Sequence, residues 1–273
     1  MPLCKIARRG VDGCAGGADD GVMTQSDSTP ITLLARPDGL RLACRPRAGA
    51  GPTILFLPGY MSDMEGSKAV ALDQWAARQG RAMVRMDYAG NGSSEGRFAA
   101  GTLASWRDDV LLVMDRLIEG PVLLVGSSMG GWLALLVALA RPNRVVGIVG
   151  IAAAPDFTDW GFTDADKALL ATEGRIEEPS AYSDDPYVTT LAFWQSGQAL
   201  RLLEGEIGID CAVRLLHGQQ DKDVPWYVAV KAAARLRSSD VQTLLIKDGD
   251  HRLSRDGDIA LLIRTVASLL DSH

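Results

Sequence analysis

Histidine and cysteine are scarce in this chain of 273 residues, which holds three of the first and four of the second. Cys4, Cys14, Cys44 and Cys211 form no C-x-x-C pair and no framework spacing. A protein-built metal cage needs clustered ligands, and a disulfide-stapled domain is short and cysteine-dense. Neither pattern is present, so no metal is expected, and the thiols read as reduced in a cytoplasmic setting. Long hydrophobic runs are also missing. The longest, from Trp132 to Ala140, falls well short of the roughly 20 residues that cross a bilayer. Nor is there a basic excess. Lys and Arg number 28 against 34 Asp and Glu, a net charge of -6, which gives no electrostatic reason to bind nucleic acid. Lys5, Arg8 and Arg9 lend the first residues a targeting flavour, but no apolar stretch follows and Asp12, Asp19 and Asp20 oppose a transit peptide. Residues 1–29 therefore read as a flexible leader, with Met23 an alternative start.

What remains is ordinary globular composition, 47% hydrophobic and 23% charged. From Pro30 onward, strand and helix patterns alternate. Residues 31–36 and 40–45 flank Pro37-Asp38-Gly39 and predict a hairpin. A continuous apolar run at 53–57 predicts a strand buried on both faces, and strands are also expected at 81–87, 122–125 and 144–153. Helical spacing marks 67–79, 103–118 and the wholly apolar 129–140. The alternation resumes with strands at 212–217 and 241–247 and helices at 227–236 and 259–270. This is the pattern of a mostly parallel sheet of eight strands with helices on both faces, an α/β architecture. Residues 156–210 break the rhythm. They show no buried-strand pattern and carry Trp160, Phe162, Tyr182, Tyr187, Phe193 and Trp194. That segment reads as a small helical cap inserted after the sixth strand of a core made of 30–155 and 211–273.

The chemistry centres on Gly126-Ser127-Ser128-Met129-Gly130, a G-x-S-x-G pattern with a buried strand running in and a buried helix running out. Such a turn is tight enough to need small residues two before and two after its serine, and it lifts the hydroxyl clear of the sheet. Ser128 is thus the expected nucleophile, with backbone N–H groups and a helix dipole beside it. A hydroxyl needs a base. His273 is the last residue and His217 ends a strand, while His251 lies in the loop after the final strand, where the order Ser, Asp/Glu, His puts the base. Asp221, in the loop after the preceding strand, is the expected acid. Asp223 is its rival, one of the two is expected to cap the helix starting near Pro225, and Asp156 is a weaker alternative. Asp248 and Asp250 are assigned to loop geometry. The oxyanion donors are expected to be the N–H groups of Met129 and of Tyr60, in the loop after the third strand. Arg85, Asp87 and the 90–94 turn are read as ordering nearby loops. Gly90-x-Gly92 does not open a helix and has no acidic residue at dinucleotide-binding distance, so no cofactor is expected.

These residues resemble the α/β-hydrolase superfamily from about 31 to 270. Within it, the segments Leu57-Pro58-Gly59-Tyr60-Met61-Ser62, Gly66-Ser67-Lys68-Ala69, the Gly126–Trp132 turn and Gly249-Asp250-His251-Arg252-Leu253-Ser254 are similar to a narrower group. It contains acyl-glucuronide esterases, palmitoyl-protein thioesterases and bacterial carboxylesterases. The resemblance implies Ser128, Asp221 and His251 as a catalytic triad, a small cap, and cofactor-free hydrolysis. The expectation is a serine-dependent carboxylic ester hydrolase acting on small acyl esters or thioesters. Its aromatic cap points to an apolar acyl group.

Overall fold

The computed structural model describes residues 29–179 and 186–271. The leader expectation for residues 1–28, Cys4, Cys14, Met23, Tyr182 and His273 lie outside them. Within the described residues a sheet of eight strands runs β1 (Thr32–Ala35), β2 (Arg41–Arg47), β3 (Ala50–Leu57), β4 (Arg81–Met86), β5 (Val122–Ser127), β6 (Val145–Ile151), then β9 (Ala212–Gly218) and β10 (Val241–Ile246). Their spatial order is β1-β2-β4-β3-β5-β6-β9-β10. The β1–β2 hairpin and the β2–β4 pair are antiparallel and every other pair is parallel. The reason is visible in the sequence. Strands flanked by crossover helices lose both faces to the core, and Ile54 to Leu57 and Val122 to Val125 are each almost wholly buried.

Helices α1 (Ser67–Arg78) and α8 (Asp256–Leu270) cover one face, where Leu72, Leu262 and Val266 meet Ile54, Val125 and Val149. On the other face lie α2 (Leu103–Leu117), α3 (Met129–Ala140) and α7 (Tyr227–Arg235), bringing Trp106, Trp132 and Val228 onto Leu55, Leu124 and Leu215. Each such large side chain, once buried, stabilises the fold by about 1.5–3 kcal/mol. Thr102 and Ser105 start α2 with a reciprocal capping box. The last helix begins at Asp256, three residues before the periodicity suggests. Arg255 and Asp258 exchange hydrogen bonds across its first turn, and that polar turn carries no apolar signal.

Between β6 and β9 the chain leaves the sheet. It forms α4 (Phe157–Trp160), α5 (Asp164–Glu173), the strands β7 (Arg175–Glu178) and β8 (Tyr187–Thr190), and α6 (Leu191–Ala199). A wholly helical cap is therefore not what forms, because β7 and β8 pair as an antiparallel ribbon of their own. Four-residue strands in which only Ile176 and Thr189 are buried are too short and too exposed to print a period in the sequence. The insertion is closed at its base by Asp156. This residue sits in left-handed conformation at φ 59° and accepts the backbone N–H groups of Leu202 and Leu203 at 2.8 and 2.7 Å. Asp156 therefore ties the two ends of the excursion together, and its carboxylate is engaged away from the histidines.

Candidate active site

Four loops gather at the carboxyl ends of the parallel strands, the edge where open α/β sheets bind ligands. The β5–α3 turn carries Ser128, which adopts φ 53° and ψ −117°. A non-glycine residue there stores about 1–3 kcal/mol of strain. The surroundings hold it in place. Its N–H donates to the Ile151 carbonyl at 2.8 Å, and its carbonyl accepts from Gly131 at 2.9 Å and Ala154 at 3.1 Å. The flanking glycines are required by close packing. A Cβ on Gly126 would lie 2.2 Å from the Gly130 oxygen, and one on Gly130 would lie 2.1 Å from the Leu57 oxygen. Small residues on either side of the serine thus let the helix start press against both β5 and the end of β3.

That contact also places the loop after β3. Gly59 approaches Ser128 so closely that a Cβ on it would sit 3.4 Å from the serine Cβ. Tyr60 follows, then Met61 at φ 52°. The backbone N–H of Met129 opens α3 and lacks an intrahelical acceptor, as every first-turn N–H does. The positive end of the helix dipole lies at the same spot. Gly59-Tyr60 and Met129 therefore bracket the Ser128 hydroxyl from two sides.

Asp221 and His251 stand on the loops after β9 and β10, which are stitched together by the Gln220 N–H on the Gly249 carbonyl at 2.9 Å. Asp221 and His251 meet there, with Asp221 Oδ2 2.8 Å from His251 Nδ1. The Asp221 side chain is fully buried. Its Oδ1 accepts the N–H groups of Asp223 at 2.9 Å and Val224 at 2.8 Å. Burial pushes its pKa up, but the hydrogen bonds from His217 and His251 outweigh this and hold it well below the usual carboxylate range. Asp223 contributes its own N–H to holding Asp221. Neither aspartate caps α7. That helix is preceded by Trp226 in helical conformation, with no side-chain cap. Asp221 uses its capping oxygen on the turn at 223–224 instead. Asp250 accepts the Leu253 N–H and Asp248 pairs with Arg255, as their loop assignment expects. The same holds for Arg85, bound to Met64 and Asp73, and for Asp87, which accepts from Met64 and Ser93.

Ser128 and His251 together line two adjoining cavities. One, of about 200 Å³, is the more polar of the two, with Ser62, Lys68, Arg252 and Ser254 among walls that also include Phe56, Tyr60 and Met61. Lys68 Nζ donates to the Arg252 carbonyl and reaches Ser254 Oγ at 3.4 Å, so α1 is tied to the loop that carries the histidine. Burial, then the nearby Arg252, lowers its amine to about 8. The other cavity, of about 360 Å³, is walled by Phe157, Trp160, Phe162 and Tyr187 of the insertion together with Tyr60 and Val224. The insertion's aromatics thus divide into two sets. Phe193 is buried against Tyr60 and Trp106 at centroid distances of 4.9 and 5.5 Å, and Trp194 donates to the Thr158 carbonyl, whereas the first set faces open space. Tyr60 joins insertion to core, its hydroxyl donating to the Val188 carbonyl at 2.6 Å.

Among the described residues, the ligand atoms of Asp221, Asp223 and His251 lie within 4.8 Å of one another. Both Asp221 oxygens are already occupied by donors, so the cluster fits an acid–base pair better than a metal cage. The sequence offers His217, at the end of a strand, as a second candidate base or as a residue filling a core edge. In fact its Nε2 lies 3.2 Å from Asp221 Oδ2, a contact that the spacing His-x-x-x-Asp at a strand end could have signalled. Lys68 stood in a quoted motif without a role, and its contact with the histidine loop spans 184 residues, beyond any local pattern.

Comparison with known proteins agrees with this geometry. A family model described as serine aminopeptidase, S33, matches residues 51–176. Human palmitoyl-protein thioesterase ABHD10, mitochondrial, is 40% identical over 247 residues, covering 89% of this chain and 81% of that protein. The structure of mouse alpha/beta hydrolase domain-containing protein 10 superposes with a TM-score of 0.83 at 39% identity, covering 89% of this chain and 99% of the other. A putative hydrolase from Agrobacterium vitis S4 gives 0.83 and 39%, over 88% and 99%. The mitochondrial location in the human relative's name lends no support to the cytoplasmic expectation. No helix among the described residues is long and apolar enough to cross a membrane.

Proposed function

Because the chain belongs to the α/β-hydrolase superfamily, in the group that includes palmitoyl-protein thioesterase ABHD10, we propose that it is a serine hydrolase that cleaves carboxylic esters or thioesters through an acyl-enzyme on Ser128. The observation that carries this reading is the buried Asp221–His251 hydrogen bond of 2.8 Å, beside cavities that the imidazole shares with Ser128. Asp221 fixes the tautomer by accepting from Nδ1–H, which leaves Nε2 with the lone pair that takes the serine proton. Ser128 Oγ then bonds to the carbonyl carbon. The carbonyl oxygen gains negative charge and receives the N–H groups of Tyr60 and Met129. Collapse breaks the carbon–oxygen or carbon–sulfur bond, and the leaving alcohol or thiol takes its proton from His251. Water, deprotonated by the same imidazole, attacks the acyl-enzyme and frees the acid and Ser128.

Burial of apolar surface is non-directional and rewards any hydrocarbon that fits. The aromatic cavity therefore suits an apolar acyl group, and the smaller, more polar cavity suits the alcohol or thiol that departs. The same machinery extends to acyl-protein thioesters and acyl-glucuronides, which differ only in the leaving group. The bond cleaved separates these from the aminopeptidase activity named for the family model, whose leaving group is an amine. The test is a panel of acyl p-nitrophenyl esters, acyl thioesters, acyl-glucuronides and aminoacyl p-nitroanilides against wild type and Ser128→Ala. Turnover of esters or thioesters that disappears in Ser128→Ala supports the proposal. Turnover confined to the anilides, or ester turnover that survives in Ser128→Ala, refutes it.

A further inference from the structure

Asp221 is held by two histidines, and the reaction uses one. The second, His217, sits in β9 with its side chain fully buried. Its Nε2 lies 3.0 Å from the Val224 carbonyl and 3.2 Å from Asp221 Oδ2. Both neighbours are acceptors, so the proton must reside on Nε2. Nδ1 then carries a lone pair, and it has no hydrogen-bond partner among the described residues. This ring is buried behind Asp221, whereas the His251 ring borders both cavities.

We propose that His217 is a positioning residue that shares Oδ2 of Asp221 with His251 and so sets how strongly that carboxylate draws the His251 proton. The inference rests on Asp221 being the acid partner of His251. The geometry supports it through competition for one oxygen. Oδ1 is occupied by the N–H groups of Asp223 and Val224, so the two imidazoles converge on Oδ2 alone. An oxygen that already accepts one hydrogen bond is a weaker acceptor for a second donor carrying positive charge. Without His217, the full charge of Oδ2 faces His251 and stabilises its imidazolium. The base then becomes protonated at higher pH, and less of it is available to take the serine proton near neutrality. The other ionisable groups close to this set are Asp223, on the same loop as Asp221, Asp250 beside His251 in the chain, Asp63, Lys68 and Arg252 in the smaller cavity and Glu178 in the larger, and all are left in place by the test.

The experiment follows the ring proton and carbon of His251 by NMR against pH in wild type, His217→Gln and His217→Met, with kcat/KM measured in parallel on a p-nitrophenyl ester. Glutamine carries an N–H close to the position of the lost Nε2–H, whereas methionine fills the core without a donor. The expected result is a His251 midpoint raised by about half to one pH unit in His217→Met. The acid limb of kcat/KM should move with it, and His217→Gln should return most of the shift. A midpoint that stays put in His217→Met, or moves equally in both variants, overturns the proposal. Should the methionine variant fail to fold, His217→Leu supplies the donor-free reading. The titration needs no turnover, so a shift observed in a protein that hydrolyses no ester separates this inference from the esterase reading.

Discussion

The sheet and the insertion are held together by different kinds of contact. In the sheet, β3, β5 and β9 are locked by parallel ladders and largely buried, β10 pairs in parallel along the half-buried edge, and the proposed working groups are mounted on loops leaving their ends. The insertion has little core of its own. It rests on ring contacts around Tyr60 and Phe193, on the hydrogen bonds of Tyr60 to Val188 and of Trp132 to Leu200, and on the Asp156 clip. Sites on rigid elements hold geometry to a fraction of an ångström, whereas a lightly anchored lid adapts its walls to a ligand. Changes in the first region should therefore fall on kcat, and changes in the second on KM and on acyl selection.

The largest expected effect is at Asp221. Asp221→Asn removes the acceptor that fixes the His251 tautomer and should lower kcat/KM by about 10³–10⁴-fold. Asp223→Asn, which keeps the N–H that binds Asp221, should cost less than about tenfold. Steady-state kinetics of both variants decides the matter, and equal losses would move the acid to the wrong place in this account. Next comes Gly130→Ala. Its methyl group would meet the Leu57 oxygen at 2.1 Å, so the β3 loop and α3 must part. The expectation is a loss of about 3 kcal/mol in urea unfolding together with a fall in kcat. A variant that is destabilised with kcat intact would separate the oxyanion donors from this packing.

On the insertion side, Asp156→Ala leaves the N–H groups of Leu202 and Leu203 without their acceptor. A stability loss of about 2 kcal/mol is expected, with KM for long-chain esters raised and kcat on an acetyl ester little changed. A matching collapse of kcat would mean that the two regions are not separable. The smallest effect belongs to Trp160→Ala, which opens the aromatic cavity. About 1 kcal/mol of lost apolar contact corresponds to a fivefold rise in KM for long acyl chains, with acetyl esters as the internal control. A uniform change across chain lengths would argue that the acyl group lies elsewhere.

The same contrast explains what could be read from the amino-acid sequence. Runs such as Thr53–Leu57 and Val122–Val125 state their burial on both faces in one dimension, and the Gly-Ser turn states its geometry because backbone packing forbids larger residues there. The succession of strands and helices, the mostly parallel sheet and the β1–β2 hairpin were legible for that reason. The ribbon of β7 and β8 was not, since strands of four residues with one buried side chain each leave no period. Nor was the clip, because Asp156 acts on backbone groups 46 residues away and an aspartate after a strand has several other uses. His217 carried the wrong signal altogether. A histidine on an apolar strand is most often core filling, and only the fold of the next loop brings Asp221 back to its Nε2.

Every role assigned here converges on the reactivity of one hydroxyl. Treating the wild-type protein with a fluorophosphonate and mapping the adduct by mass spectrometry measures that reactivity directly. The account predicts one adduct per chain, on Ser128, formed much more slowly in His251→Ala and absent in Ser128→Ala. An unlabelled wild-type protein, or an adduct carried by another serine, would contradict it.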